Sequence, residues 1–106
     1  MKVLHVLSSN QFSGAENVVC QIIGMFNTEI EMAYCSPNGP IEATLSHAHI
    51  KYFPLEKFNK KLLKKIIELY KPDVIHAHDL KASIICSRFY KGLKIVSTIF
   101  HHKNPI

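Results

Sequence analysis

Short apolar runs alternate with longer amphipathic stretches along the whole chain, and this alternation is what most constrains the fold. Five runs rich in β-branched and aromatic residues are separated by segments whose apolar residues recur every three or four positions. A link of about a dozen residues between two short buried strands requires a crossover, and the strands then pair in parallel. Right-handed crossovers place the intervening helices on both faces of one sheet.

The predicted elements follow from these runs. Strands are predicted at 2–7, 31–35, 50–53, 73–78 and 94–100. Helices are predicted at about 14–26, from Pro40 to about His47, at 60–71 after an Asn59 cap, and at 80–90 before a stop at Gly92. We therefore predict the α/β class: a doubly wound, Rossmann-like three-layer sandwich whose five-stranded parallel sheet has the order 3-2-1-4-5.

Length and composition indicate one ordinary globular domain spanning 1–106. The chain has 106 residues, of which 47% are hydrophobic and 20% charged. An apolar run of about 18 residues, as a membrane span needs, does not occur. The apolar start is interrupted by His5, which favours a buried strand over a secretory signal. Three cysteines without a CxxC spacing predict free thiols in a reducing cytoplasm: Cys20, Cys35 and Cys86.

The predicted strand order fixes where a ligand would bind. Doubly wound sheets bind ligands beyond the carboxyl ends of their strands, where the order reverses. Here that point lies between strands one and four, beside the segment 8–14 and beside His78 and Asp79. Strand five ends next to them, before His101 and His102. Polar groups from three distant stretches are thus expected at one edge.

The segment after strand one has two interpretations. Both GxGxxG and GxxxxGK[ST] are absent, so neither a dinucleotide site nor a P-loop is predicted. Ser13 and Glu16 have the spacing of a helix capping box. Gly14 allows close backbone approach, and the helix N-terminus attracts anions, so Ser13 and Gly14 are also candidate substrate-binding residues. Capping and substrate binding are compatible.

The sequence His76-Ala77-His78-Asp79 carries a second group of candidates. His76 and His78 share one side of a strand, as in hydrolases with an HxH metal motif. Two histidines are fewer than the usual three or four ligands, so we predict no metal site. We expect His76 to be a core residue, Asp79 to cap the next helix and His78 to contact the ligand.

The third predicted helix is strongly basic on one side. Its lysines are Lys57, Lys60, Lys61, Lys64, Lys65 and Lys71. With a net charge of +5, this segment suits either a solvated face of a helix packed on the sheet or peripheral contact with an anionic membrane through 57–71. Nucleic acid is not a predicted partner, because aromatic residues do not interleave with the lysines.

Three stretches together carry a family likeness. Residues 2–9 and 13–16 read KVLHVLSS and SGAE, residues 71–78 read KPDVIHAH, and residues 95–99 read IVSTI before His101 and His102. In this order and spacing they resemble the N-terminal domain of family-four glycosyltransferases, which have the GT-B fold. The likeness extends over nearly the whole chain.

The resemblance implies a division of labour. The N-terminal domain binds the acceptor, a sugar or a lipid-linked sugar, and a C-terminal domain binds the UDP- or GDP-sugar donor. Transfer of a hexose then occurs between the domains without a cofactor or an essential metal. By resemblance, Gly14 approaches the donor phosphates and the acceptor. His101 or His102 contacts the transferred sugar, and His101 is preferred because it is nearer the strand. Surface polysaccharide or glycolipid synthesis, in the cytoplasm or at the inner membrane face, is the implied role.

Two departures from the family pattern shape the expectations. Ser13 stands where the family loop usually has a glycine, which weakens the inference of a phosphate loop. The chain also stops at Ile106, so we expect a truncated N-terminal domain that transfers no sugar alone. The alternative is a stand-alone flavodoxin-like module that binds a small ligand or regulates a partner. A metal-dependent hydrolase, resting on His76 and His78, is a third reading.

Overall fold

A computed structural model describes residues 1–26, 28–89 and 94–97. The strands are β1 (Lys2–Val6), β2 (Glu31–Pro37), β3 (Tyr52–Leu55), β4 (Val74–Ala77) and β5 (Lys94–Ser97). The helices are α1 (Gly14–Phe26), α2 (Ile41–His47), α3 (Lys60–Tyr70) and α4 (Leu80–Cys86). All neighbouring strands pair in parallel, in the order β3-β2-β1-β4-β5. The predicted fold class and strand order are confirmed.

Several predicted boundaries differ from the observed ones, by one residue at the end of β1, at both ends of β4 and at the end of α3, and by more in three other elements. β2 continues through Pro37, and β3 lies two residues later than predicted. β3 contains Pro54, which an edge strand tolerates because one side of its backbone needs no partner. α4 ends at Cys86, where the Ser87 hydroxyl donates to the carbonyl of Ile84 at 2.7 Å. The predicted end of this helix, its stop at Gly92 and residues 98–100 of the fifth strand lie outside the described residues.

One face of the sheet, the α3/α4 face, packs against α3 and α4 and is apolar. Leu4 and Ile75 are fully buried there under Leu63 of α3. α3 begins where predicted, because the Asn59 side chain accepts a hydrogen bond from the backbone N–H of Leu62 at 2.9 Å. The burial of this face follows directly from the apolar stripe of α3.

The opposite face, the α1/α2 face, packs against α1 and α2. Its core consists of Leu7, Val19, Ile23, Tyr34, Ile41 and Leu45. Because side chains alternate along a strand, His5 and its register partner His76 point to this side, away from Leu4 and Ile75. The α1/α2 face therefore contains the polar groups that position the candidate site.

The cysteines are in the free state that the composition predicts. Cys35 and Cys86 are buried, Cys20 is half-buried, and all three thiols are free, as predicted. Burial raises the pKa of the Cys86 thiol to about 12, so it stays protonated and unreactive. Within 1–26, 28–89 and 94–97, no helix combines the length and the apolar character that crossing a membrane requires.

Candidate functional site at the carboxyl edge of the sheet

Asp79 joins the two loops that flank the reversal of strand order. One carboxylate oxygen accepts the backbone N–H of Ala82 at 2.8 Å and caps α4, as predicted. The other oxygen accepts the backbone N–H of Ser8 at 2.8 Å, in the loop that follows β1. A carboxylate bonded to two backbone N–H groups is a strong tether. Asp79 therefore fixes the β1–α1 loop over the end of β4.

The β1–α1 loop is also tied to the loop between β2 and α2. The Asn10 side chain donates to the backbone carbonyl of Asn38 at 3.0 Å, and the backbone carbonyl of Asn10 accepts the N–H of Ile41 at 3.0 Å. Gly39 lies so close that a Cβ atom at this position would overlap the Asn10 side chain. Three loops at the carboxyl edge are thus held together by short polar contacts.

The N-terminus of α1 opens this edge to solvent. Ser13 and Gly14 are exposed, whereas the Glu16 carboxylate beneath them is 2% exposed. Glu16 accepts the Ser13 backbone N–H at 3.2 Å and the Ser13 hydroxyl at 2.6 Å. Glu16 thus reaches back to the Ser13 N–H as the predicted capping box requires, while the Ser13 hydroxyl donates to the same carboxylate. The first turn of a helix leaves backbone N–H groups without partners inside the helix, and such groups attract anions.

Three histidines lie together beside the Asp79 tether. His5 of β1 is paired in register with His76 of β4, and His78 follows one side-chain repeat later. The ring centroids of His76 and His78 are 3.9 Å apart and stacked, and that of His5 is 5.4 Å from the first and 5.1 Å from the second. His5 and His78 are 1% and 4% exposed, whereas His76 is half-buried.

Hydrogen bonds define the proton positions in this histidine cluster. His5 Nδ1 is 2.8 Å from His78 Nε2, and His5 Nε2 is 3.2 Å from the sulfur of Met32. A thioether only accepts, so His5 carries its proton on Nε2 and accepts at Nδ1 from His78. Both rings are then neutral, and the N–H of His78 is paired with the lone pair of His5 Nδ1.

Burial keeps all three imidazoles neutral at pH 7. Burial first, and the neighbouring imidazole of His76 second, lower the pKa of His5 to about 4 and that of His78 to about 3. Burial also lowers the pKa of His76. Neutral imidazoles present lone pairs instead of charge, so the cluster is suited to hydrogen bonding or to metal ligation, and not to binding an anion.

The structure brings together most of the candidate residues within its described part. Ser13, Gly14, His78 and Asp79 all flank the carboxyl ends of β1 and β4. His78 is 4% exposed, so little of its side chain is available for the predicted ligand contact. His101 and His102 lie outside the described residues, and their proposed contact with the sugar remains a prediction.

Two contributors were missed in the sequence. His5 was noted only as a break in an apolar run, although its register with the HxH pair could have been inferred from the predicted strand order. Asn10 gave no signal, because its role depends on Gly39 and Asn38 from a different loop. Contacts between loops follow from tertiary geometry and not from local spacing.

A separate cavity of about 460 Å³ lies at the opposite edge of the sheet. It is lined by the C-terminal half of α1, the start of β2 and the segment before β3, including Cys20, Glu31, His49 and Lys51. Met32 lines it too, and the Met32 sulfur also contacts His5. The Met32 side chain therefore links the cavity to the histidine cluster.

Comparison with known proteins shows the fold. No known family model and no curated protein sequence matches the chain. Solved structures of Anabaena HepE match its fold. HepE with UDP has a TM-score of 0.75 at 20% identity, covering 92% of this chain and 29% of HepE. HepE with UDP-glucose has a TM-score of 0.74 at 20% identity, covering 92% of this chain and 28% of HepE.

A third HepE structure, with UDP and glucose, gives a TM-score of 0.72 at 21% identity over 92% of this chain and 29% of HepE. The chain thus spans less than a third of the protein it matches. An identity of about one fifth shows a shared fold, and the match is consistent with the N-terminal GT-B domain that the sequence resembles. The chain has the fold of one part of a protein that has been solved with UDP-glucose bound.

Proposed function

We propose that the chain is the acceptor-binding N-terminal domain of a GT-B glycosyltransferase that uses a UDP- or GDP-sugar. One observation carries the proposal: the fold matches HepE, which has been solved with UDP-glucose, over 92% of the chain. The polar loops at the carboxyl edge support it, because they cluster where such sheets bind ligands. The proposed reaction is hexosyl transfer to a sugar or a lipid-linked sugar, in the synthesis of surface polysaccharide or glycolipid.

The proposal gives a role to each polar group at the carboxyl edge of the sheet. The free N–H groups near Ser13 and Gly14 receive the donor phosphates as a second domain brings them over the edge. Asp79 is a positioning residue that holds the β1–α1 loop through Ser8. His101, with His102 beside it, contacts the transferred sugar. Because orientation supplies a large share of such rate enhancements, the domain alone transfers no sugar.

The test compares two aspartates at opposite ends of β1 in the full-length protein. Asp79 accepts the N–H of Ser8 at 2.8 Å at the carboxyl end, and Asp73 accepts the N–H of Lys2 at 2.8 Å at the amino end. Asp79→Asn keeps the shape but loses one acceptor, so kcat/KM for UDP release from UDP-glucose should fall about ten- to a hundredfold. Asp73→Asn should leave this rate near wild type.

The outcomes separate the candidate functions. Equal rates for both variants would contradict a role for the carboxyl edge. A full-length protein that releases neither UDP from UDP-sugars nor GDP from GDP-sugars, but binds a small ligand at this edge, would favour the flavodoxin-like module. Sequencing the reading frame beyond Ile106 for a second Rossmann-like domain is the quickest first step.

We further propose that α3 rests on an anionic membrane while the domain stays in the cytoplasm. Its lysines Lys60, Lys61, Lys64 and Lys65 are exposed, whereas Leu63 and Ile67 face the core. Four exposed cations on one helix suit anionic headgroups, each contributing about 1 kcal/mol near a charged surface. A lipid-linked acceptor would then be presented close to the sheet edge.

Sedimentation with phosphatidylglycerol vesicles tests this contact. Lys61→Gln/Lys65→Gln should weaken vesicle binding about tenfold or more, since two such contacts are lost. Lys51→Gln/Lys94→Gln removes the same charge elsewhere and should bind like wild type. If both double variants weaken binding equally, net charge alone governs the attraction and the proposed role of α3 is wrong.

A further inference from the structure

The histidine cluster has a property that the proposed transfer reaction does not use. One ring nitrogen from each of His5, His76 and His78 lies within 4.8 Å of the other two. The three rings come from neighbouring strands at the reversal of strand order. We propose that His5, His76 and His78 form a binding site for a divalent transition-metal ion, with Zn²⁺ as the best match.

The number and kind of ligands favour this class of metal. Three imidazoles with an open fourth position occur in mononuclear zinc sites, where water or another ligand completes the tetrahedron. Imidazole nitrogen suits zinc, copper and nickel, whereas magnesium and calcium require oxygen ligands. The two histidines counted in the sequence were too few for a metal site, and His5 supplies the third ligand.

The protons of the cluster are already arranged for an ion. Met32 holds the proton of His5 on Nε2, which leaves the lone pair of Nδ1 directed at His78. A metal ion between these two rings takes the place of the shared proton, and His78 then carries its proton on Nδ1. The contact of His5 with Met32 is kept and orients the ligand ring, as hydrogen bonds around metal ligands do.

Little reorganisation is needed to admit the ion. Tetrahedral Zn²⁺ with Zn–N distances of about 2.0–2.1 Å brings its ligand nitrogens to about 3.4 Å from one another. The widest separation here is 4.8 Å, so at least one ring must move inward, and the 2.8 Å between His5 Nδ1 and His78 Nε2 must widen toward the same value. His5 and His78 are 1% and 4% exposed, whereas His76 is half-buried, so a shift of the His76 ring disturbs the core least. Its exposed edge also gives the ion a route from solvent.

The occupied site would join β1 to β4 through side chains, below the loop that Asp79 holds. This inference does not depend on the proposed transferase, because neither donor nor acceptor is involved. Metal binding is therefore tested without any activity measurement.

The test titrates ZnCl₂ into purified protein that has been freed of metal with a chelator. Competition with a chromophoric chelator should show one tight equivalent. His76→Gln should weaken it by at least about tenfold, because it removes a ligand. His47→Gln removes an exposed histidine at the end of α2 and should bind Zn²⁺ like wild type.

A second measurement avoids variants that fold poorly. Nitrogen-15 spectra of the wild-type histidine rings should show Zn²⁺ shifting His5 Nδ1 and His78 Nε2, with His47 unchanged. Replacement by Co²⁺ should give the visible absorption of a tetrahedral nitrogen site. The proposal is overturned if His76→Gln and wild type bind Zn²⁺ alike, or if the rings of His5 and His78 do not shift at one equivalent.

Discussion

The α3/α4 face and the α1/α2 face of the sheet are both covered by helices, yet they bury different kinds of side chain. Leu4, Ile75 and Leu63 fill the first with hydrocarbon, and all three are fully buried. The second has an apolar core of its own, but it also holds the imidazoles of His5 and His78, which are almost as deeply buried. The two surfaces belong to the same strands, so the difference arises from strand alternation alone.

This difference shows which face mainly stabilises the fold and which face also carries groups that can bind protons or metal ions. Burying hydrocarbon stabilises at every pH, whereas burying a polar group is tolerated only if it is hydrogen-bonded. The histidine cluster satisfies that condition through the bond between His5 and His78 and the contact with Met32. The α1/α2 face is therefore the one whose stability should respond to protons and metal ions.

The largest expected effect comes from the α3/α4 face. Leu63→Ala deletes a fully buried side chain and should lower the free energy of unfolding by about 2–5 kcal/mol, through lost burial and a residual cavity. Denaturant titration measures it. Leu69→Ala lies on the same helix but at a side chain 71% exposed, and it should change stability by less than about 0.5 kcal/mol. Equal losses would mean that α3 does not pack as described.

Acid should destabilise the protein through the histidine cluster on the α1/α2 face. The pKa of His5 falls from 6.5 to about 4 and that of His78 to about 3 on folding. Below pH 6.5 the unfolded chain therefore binds protons that the native state refuses, so stability drops as the pH falls. Between pH 7 and pH 5 the loss should be about 2–4 kcal/mol. Denaturant midpoints across this range, in a chelator, measure it.

Variants locate the acid effect in the histidine cluster. His78→Gln removes one titrating group, so the loss of stability between pH 7 and pH 5 should be smaller than in wild type. His47→Gln alters an exposed histidine and should leave the slope unchanged. A stability that stays constant over this range in wild type would contradict the burial of neutral imidazoles.

Two helix caps on the α3/α4 face give a smaller comparison, because only one of them also reaches the carboxyl edge. Asn59 caps α3 with one hydrogen bond, to Leu62, whereas Asp79 caps α4 and also bonds the N–H of Ser8. Asp79→Ala should therefore cost about 2 kcal/mol and Asn59→Ala about 1 kcal/mol. Thermal and denaturant unfolding check the order. If Asn59→Ala costs more, the bond across the carboxyl edge contributes nothing.

The sequence predicted the fold because its signals are local and repeated. The alternation of strands and helices defined the strand order, and Asn59 and Asp79 were recognised as caps from their position before apolar helices. Boundaries were less accurate at β3, since Pro54 reads as a strand breaker until its place at the sheet edge is known. Edge position is a tertiary property.

The candidate site was predictable only in part. His78 and Asp79 were placed correctly beside the β1–α1 loop, because parallel strands bring their carboxyl ends to one edge. The histidine cluster was not foreseen, since His5 and His76 are 71 positions apart and meet only through the register of β1 with β4. Likewise, the contact of Asn10 with Gly39 joins two loops that no local pattern relates.

The smallest expected effect concerns the helices that cover the two faces. α3 contains no glycine, whereas α1 has Gly24 in its interior, where glycine is a poor helix former. A Cβ atom at Gly24 would meet nothing within 4 Å, so Gly24→Ala should stabilise the protein by about 0.5–1 kcal/mol. Gly39→Ala provides the opposite case, because its Cβ atom would displace Asn10 and should destabilise. Denaturant midpoints for the two variants should therefore move in opposite directions. If Gly24→Ala does not raise the midpoint, the helix propensity of this position does not limit the stability of α1 on the α1/α2 face.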